Sequence, residues 1–441
     1  MTGLEIFKLL PRTNCKECGN PTCLAFAMAL ANAKITLDKC PHASEDCKAA
    51  LGGAAAPPVK LVKLGVGTKA REIGDEVVLF RHDKAFYHPT AYAVEINDND
   101  ADFDAKLAKI NDLKFERVGQ KVSIDLIAVR NASKSADTFA KAAEVATQKG
   151  DFSLVLMSDC TEAMEKALEV AAIGKPLVYA ATETNWETMA NLAKKYACPL
   201  AVCGKGLENI ASLVEKVAKV YGELVIDAGN RELSQAIAEM TQMRRLAIKK
   251  KFKPFGYPII AFTNSDDPQY EVIQASGLAA KYASIIVLKA CEKSLILPLM
   301  AWRMNLYTDP QKPSQVEPGM HAIGAATADS PVYCTTNFSL TYYTVEGEIS
   351  ASKIPSWIIA APTDGTSVLT SYAAGKFTGE KVAEFMQKID AAGKVNHKNI
   401  VIPGYVAVMK GILEEKSGWN VMIAPREASG LRAFAKANFL K

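Results

Sequence analysis

No uninterrupted apolar run in the sequence approaches the length of a bilayer span, and Met1-Thr2-Gly3-Leu4-Glu5-Ile6 lacks the basic stretch and apolar core of a secretory leader. The chain reads as cytoplasmic. An excess of one charge is missing too: 52 Lys+Arg face 48 Asp+Glu, a formal net charge of +4 over 441 residues, and no basic run leaves a nucleic-acid footprint. Nucleic acid and membrane are therefore set aside as partners. Histidine is scarce, with five in all. What the chain does have is 49% hydrophobic and 23% charged residues, enough to bury large cores, and a length that suggests about three domains.

Ten cysteines are many for a cytosolic protein, and five fall within the first fifty residues. Cys160, Cys198, Cys203, Cys291 and Cys334 sit in apolar, strand-like segments, where a free Cys acts as a small hydrophobe. The N-terminal group needs another account, and without an oxidising compartment a metal site is the leading one. Cys15-x2-Cys18-x4-Cys23-x16-Cys40 offers four thiolates, three on a tight loop and one returning after a helix. Gly19 lets the backbone approach closely, and Cys40-Pro41 ends the loop in the manner of a cluster-binding Cys-Pro. Asn20 is expected to cap the next helix with Pro21 in its first position, which puts Cys23 in the first turn. Upstream, Thr2-Gly3-Leu4-Glu5 matches a capping box for a short helix over residues 4–10. Zinc is the alternative metal, but its motifs usually come as two Cys pairs, so the spacing favours iron–sulfur. Cys47 is a surplus thiol and is not expected to be a ligand.

Gly52-Gly53-Ala54-Ala55-Ala56-Pro57-Pro58 has linker composition. After it, residues 59–62 and 77–80 read as a hairpin lid. Apolar runs over 92–96, 124–129, 153–157, 177–180, 200–203, 224–227, 259–262 and 284–288 then alternate with helical patterns. Such runs suit parallel strands buried on both faces, and eight strand-plus-helix units predict a closed (β/α)8 barrel, with a doubly wound open sheet as the alternative. Residues 308–330, rich in Pro and Gly, read as a second connection. Strands over 357–361, 399–402 and 421–424 follow, in a small Rossmann-like α/β unit. The expected division of this α/β protein is 1–56 for the cluster domain, 57–325 for the TIM barrel and 326–441 for the last domain.

Taken together, three sets of residues resemble a known family, the large (gamma) subunit of the corrinoid/iron–sulfur protein of the anaerobic acetyl-CoA pathway. They are Leu4-Glu5-Ile6-Phe7-Lys8-Leu9-Leu10-Pro11 with Asn14-Cys15-x2-Cys18-Gly19-x-Pro21-Thr22-Cys23; Thr335-Thr336-Asn337-Phe338-Ser339-Leu340-Thr341-Tyr342-Tyr343; and Ile402-Pro403-Gly404-Tyr405-Val406 with Ser417-Gly418-Trp419. The match covers the whole chain. It implies a 4Fe-4S cluster on the N-terminal domain, a barrel in the middle and a cobalt corrinoid (cobamide) on the C-terminal domain. It also implies a heterodimer with the family's small subunit. In that family Co(I) takes a methyl group from methyltetrahydrofolate held on a separate methyltransferase, and methyl-Co(III) passes it to acetyl-CoA synthase. The cluster's implied role is to return Co(II) to Co(I) with an electron from a low-potential donor.

Some corrinoid domains place a His below cobalt from an Asp-x-His-x-x-Gly motif, and none of the five His here fits it; His321 has the trailing Gly324, but Gly319 stands where the Asp should be. A cobalt without a protein His ligand is expected. A corrin with peripheral amides and a phosphate-bearing tail needs backbone N–H groups, hydroxyls and small residues at strand ends. The candidates are Thr336 and Tyr342; Thr366, Ser367, Val368, Leu369 and Thr370; Gly404; and Ala428, Ser429, Gly430 and Arg432. Ordinary helix capping by Ser and Thr is the competing explanation. In the barrel, Asn97, Asp98, Asn131, Asp159, Asp227 and Asn264 stand near strand ends, where they could line a pterin pocket or serve only as loop and capping residues. No catalytic residue is assigned. Two other functions are weighed: an iron–sulfur electron-transfer or redox-sensing protein on a barrel scaffold, and a methanogen pterin-dependent methyltransferase subunit.

Overall fold

The computed structural model describes residues 3–31, 35, 37–44, 47, 57–83, 86–117, 119–308 and 313–440. Thr2 of the expected capping box, residues 52–56 of the first linker and residues 309–312 of the second connection lie outside the described residues. The chain divides into two compact units, residues 1–115 with 122–307, and residues 116–121 with 308–441.

In the first unit, β1 (Val62–Leu64) and β2 (Arg71–Ile73) form an antiparallel hairpin. A parallel series follows: β3 (Ala91–Asn97), then, after the small two-stranded sheet of β4 (Lys114–Arg117) and β5 (Gln120–Ser123), β6 (Leu126–Arg130), β7 (Ser153–Met157), β8 (Leu177–Ala181), β9 (Leu200–Cys203), β10 (Leu224–Asp227), β11 (Ile259–Phe262) and β12 (Ala283–Leu288). Eight of these close into a barrel, because β12 pairs back onto β3 from Ile285 opposite Ala91 to Leu288 opposite Val94. The runs are apolar throughout because both strand faces are covered. Ala93, Ala128, Val155, Ala201, Val225 and Ile285 fill the centre. Val94, Ile96, Ile127 and Val129 meet the surrounding helices. Those helices start where side chains satisfy their free N–H groups: Ser135 Oγ accepts from Thr138 N at 3.3 Å, and Asp267, followed by Pro268, accepts from Gln269 N at 3.0 Å.

The hairpin differs from expectation. Its strands are 62–64 and 71–73, because Val78 and Leu79 pack instead with Phe86 and Tyr282 in a separate cluster. Val62, Leu64 and Ile73 join the apolar centre of the barrel. Gly65 N donates to Lys175 O and Ser153 Oγ to Lys69 O, both at 3.0 Å, so the hairpin plugs the N-terminal end of the strands.

The second unit holds a five-stranded sheet, β13 (Gly319–Ile323), β14 (Val332–Thr336), β15 (Ser356–Ala361), β16 (Asn399–Ile402) and β17 (Asn420–Ile423), in the order β13-β15-β14-β16-β17. Only β13 is antiparallel. β13 and β14 were not expected. The first falls within the expected connection, and the second has a hydroxyl-rich end that reads as a site motif rather than a strand. All the parallel strands therefore deliver their C-terminal loops to one edge of this sheet, the usual ligand edge of an open α/β sheet.

One buried contact clasps the barrel shut. Asp125, 8% exposed, accepts from Tyr92 N at 3.1 Å and Arg71 Nε at 3.0 Å, and pairs with Arg303, which also donates to Thr90 O at 3.0 Å and Ser123 O at 2.8 Å. Asp125→Ala should leave the Arg303 guanidinium buried without its counter-charge and destabilise the unit by about 3–5 kcal/mol. A urea titration checks this as a lower midpoint at unchanged slope. A change below about 1 kcal/mol would mean that the pair only breaks even with its desolvation.

Candidate functional site

The four N-terminal thiols are all free. Helices Gly3–Leu9 and Cys23–Ala31 flank the loop, which winds through left-handed residues at Arg12, Asn14, Lys16 and Gly19. The helix cap is not the expected one. Thr22 Oγ1 accepts from Ala25 N at 3.0 Å and Asn14 Oδ1 from Cys23 N at 2.7 Å, so the helix opens at Cys23 and Pro21 lies before it. The Asn20 amide donates instead to Cys18 O at 3.3 Å and Cys18 Sγ at 3.9 Å, and Asn14 N donates to Cys23 Sγ at 3.3 Å.

Cys40 returns the fourth sulfur. Burial pushes its thiol up, a backbone hydrogen bond at His42 opposes that, and the nearby Cys18, Cys23 and Cys15 push it up further. Sulfurs that crowd one another in this way are poor company as free thiolates and a fitting donor set for a cationic cluster. At the buried Cys47, burial and then Cys40 alone push the thiol up. Sequence reasoning missed Glu17 and His42, which pair at 3.1 Å beside Cys15, with ligand atoms of all three within 4.8 Å. This exposed trio shares only Cys15 with the four-sulfur set.

In the second unit, a cavity of about 110 Å³ opens at the strand-end edge, lined among others by Tyr333, Thr335, Thr341, Val368, Tyr405 and Ala428. Of the candidates, Val368 and Ala428 line it. Thr336 is fully buried. Thr366 Oγ1 is engaged with Thr363 O at 2.7 Å and Ser371 Oγ at 2.6 Å, and Ser367 Oγ with Thr370 Oγ1 at 3.0 Å. Gly404 lets two loops pass, since a Cβ there would lie 2.4 Å from Ala424 O. Ser429 and Gly430 sit on a short turn before the exposed Arg432. Tyr342 lies instead in the core with Ile349 and Ile358, its ring 5.4 Å from His321. Tyr333 and Thr335 were missed; alternate residues of β14 face the same side, a signal available only once 332–336 is seen as a strand.

Tyr333 OH, Thr335 Oγ1 and Thr336 Oγ1 are buried with no hydrogen-bond partner among the described residues. Buried hydroxyls are normally satisfied, so the two that line the cavity, Tyr333 and Thr335, mark where a ligand with polar edges fits; Thr336 falls on the opposite face of β14. Leu340, Leu369, Tyr405 and Val408 leave exposed apolar surface on the strand-end loops, suited to the face of a large ring. The unit's two histidines lie elsewhere: His321 Nε2 contacts Glu317 O at 2.8 Å on edge strand β13, and His397 Nε2 contacts Ser330 O at 3.0 Å, before β16 begins.

The barrel mouth is largely closed on itself. A cavity of about 260 Å³ there is lined by Arg130, Asn131, Ser158, Asp159 and Tyr179, among others. Yet Arg130 is clamped by Glu95 at 2.7 and 2.8 Å, and Asp227 holds Tyr179 OH and Arg231, each at 2.8 Å. Asp98 accepts from Ser133, Asn97 and Asp100 bond each other, Asn131 donates to Ser158 and Asn264 accepts from Gln274. These are loop-fastening roles.

A family model for the CO dehydrogenase/acetyl-CoA synthase delta subunit matches residues 61–435, and an Fe-S cluster model matches residues 10–42. The corrinoid/iron-sulfur protein large subunit of Moorella thermoacetica is 53% identical over 441 residues, covering 99% of each chain. The acetyl-CoA decarbonylase/synthase complex subunit gamma of Methanothermobacter thermautotrophicus is 36% identical, covering 98% of this chain and 97% of that one. Among solved structures, the 7,8-dihydropteroate synthase of Vibrio fischeri matches with a TM-score of 0.38 and 15% identity, over 56% of this chain and 100% of that chain. The chain belongs to the CO dehydrogenase/acetyl-CoA synthase delta subunit family, and its full-length relatives include the large subunit of the corrinoid/iron–sulfur protein and the gamma subunit of the acetyl-CoA decarbonylase/synthase complex.

Proposed function

We propose that the chain is the corrinoid-binding methyl carrier of the acetyl-CoA pathway, working as a heterodimer with a small subunit between a methyltetrahydrofolate methyltransferase and acetyl-CoA synthase. When bound, the corrinoid supplies a cobalt that can take up and give away a methyl group, and the 4Fe-4S cluster supplies single electrons that restore the cobalt's reduced state. The observation that carries this reading is a full-length match at 53% identity to a corrinoid/iron–sulfur large subunit in a chain that also gathers four free thiols and leaves three buried hydroxyls unpaired on one strand.

Cys15, Cys18, Cys23 and Cys40 would hold the cluster, with N–H groups of Asn14 and Asn20 sharing the charge on two of the sulfurs. Tyr333 and Thr335 would offer their free hydroxyls to the corrinoid's polar edges, with residues 366–370, Gly404, Ala428, Ser429, Gly430 and Arg432 supplying the surrounding loops. Neither His321 nor His397 stands on the ligand edge, so the cobalt would have no protein imidazole beneath it. Without that nitrogen donor the metal is less electron-rich and more easily reduced. The Glu95–Arg130 and Asp227–Arg231 pairs fill the barrel mouth with mutually satisfied groups, which fits a scaffold.

Anaerobically purified protein should contain about one cobalt and about four irons per chain. Cys40→Ala should abolish the paramagnetic signal of the reduced cluster and leave the corrinoid in place, whereas Cys47→Ala should be silent. Cluster loss in Cys47→Ala would reverse the choice of fourth ligand.

The spectrum of the Co(II) form should show no nitrogen splitting from an imidazole, and replacing His321 or His397 should not change it. A spectrum altered by either replacement would place a histidine on the metal.

Methyl uptake and delivery each move an electron pair within the bond made or broken, whereas the cluster handles one electron at a time. A Cys40→Ala protein reduced by a strong chemical reductant should therefore transfer methyl groups at near the normal rate and fail only when a physiological donor must restore activity. Equal losses under both conditions would give the cluster domain a part in transfer or docking.

A further inference from the structure

The strand-end loops of the second unit are tied to the chain that leads into it. Asn337, 1% exposed at the end of β14, accepts through one oxygen from Thr363 N at 3.0 Å, Thr363 Oγ1 at 2.9 Å and Gly365 N at 3.1 Å. Its amide nitrogen points the other way, to Gln315 Oε1 at 3.1 Å and Val316 O at 3.4 Å, on the segment arriving from the barrel. That segment is zipped on by its backbone as well. Val316 N donates to Asn337 O at 2.8 Å, Ser339 N donates to Ser314 O at 3.0 Å, and the Ser314 and Ser339 hydroxyls meet at 2.9 Å.

The turn at 363–365 is one that a chain does not hold unaided. Asp364 and Gly365 are both left-handed, at φ 53° and 68°. A Cβ on Gly365 would lie 2.6 Å from Gln315 Cγ and 3.1 Å from Pro313 Cβ, so the incoming segment packs directly against the turn. The turn in turn sets the ligand edge: Thr366 N and Oγ1 both return to Thr363 O, at 3.2 and 2.7 Å, and two residues later Val368 lines the cavity.

We propose that Asn337 is a positioning residue for the corrinoid, coupling the path of the incoming connection at residues 314–316 to the loop that forms one wall of the corrinoid site. The proposal rests on the corrinoid reading above. Asn337 does not touch the cavity. It acts through Thr363 and Gly365, and it is the hydrogen-bonded link between Gln315 and Val316 and the wall, beside the direct packing of Gln315 on Gly365. The path of residues 314–316 and grip on the cofactor are then not independent.

The test uses the full chain with its small subunit, freed of corrinoid and titrated anaerobically with a cobamide, with binding followed by absorbance. Iron content and a thermal melt establish that each variant is folded at the titration temperature. Asn337→Ala should weaken cobamide binding about tenfold, the effect expected of one buried hydrogen-bonding group left unpaired. It should also change the line shape of the Co(II) spectrum, which a loss of stability alone would not do. Gln315→Ala, on an exposed residue that does not line the cavity, should weaken binding in the same direction, and the double variant should be no weaker than Asn337→Ala. Unchanged affinity in Gln315→Ala, or losses that add in the double variant, overturns the coupling. If Asn337→Ala does not fold, Gln315→Ala decides by the same criterion. A wild-type complex that takes up no cobamide refutes the corrinoid reading itself, an outcome distinct from a wild type that binds and a Gln315 variant that binds equally well.

Discussion

A buried carboxylate, Asp125, ties the first strand of the barrel to the plugging hairpin and to the helix that follows the last strand. Asp125 and Arg303 are 178 residues apart in sequence, and Arg71 reaches the same carboxylate from the plugging hairpin. Burying a charge costs several kcal/mol unless it is fully paired, so each of the three elements is worth least when another is missing. The same economy of charge appears at the opposite end of the barrel, where Glu95 with Arg130 and Asp227 with Arg231 and Tyr179 satisfy one another. These pairs fasten the mouth, although Asp159 also lines its cavity; the thiol set and the strand-end cavity of the second unit are the two other regions that could hold a ligand.

Those regions were unequally legible, for a physical reason. The thiol set lies within 26 residues of sequence, so its spacing was open to reading without the fold, and Cys15, Cys18 and Cys23 all act electrostatically on Cys40. The cap was misread because Asn20 and Thr22 are both good caps and only the fold shows that Asn20 turns back to Cys18. The barrel strands were legible because a strand covered on both faces is an unbroken apolar run, and 153–157, 200–203, 224–227 and 259–262 match residue for residue. The hairpin was not: β1 is three residues long, and the apolar run at 77–80 that looked like its partner belongs to a separate cluster.

The corrinoid candidates were the least legible, since the ligand edge draws on loops scattered from Tyr333 to Leu431. Loop composition found Val368 and Ala428 but also Tyr342, which shares the long motif after β14 and lies in the core because it falls on the inner face of the helix Ser339–Ser352. Tyr333 and Thr335 escaped because residues with β-propensity and a hydroxyl look the same whether they build a strand or face a ligand. Burial without a partner tells the two apart.

A buried hydroxyl with no partner costs roughly 1–3 kcal/mol, so Tyr333, Thr335 and Thr336 tax the second unit until something pairs with them. A ligand that does so stabilises the folded unit in proportion to its binding, because the unfolded chain offers no such array. The barrel unit pairs Glu95, Asp227 and Asp125 but carries buried atoms of its own with no hydrogen-bond partner among the described residues, at Glu76 Oε2, Tyr92 OH, Glu239 Oε2 and Arg244 Nη1. Asn337 ties the segment at residues 315–316 to the strand-end turn at 363–365, so that segment is part of the edge at which Tyr333 and Thr335 line a cavity.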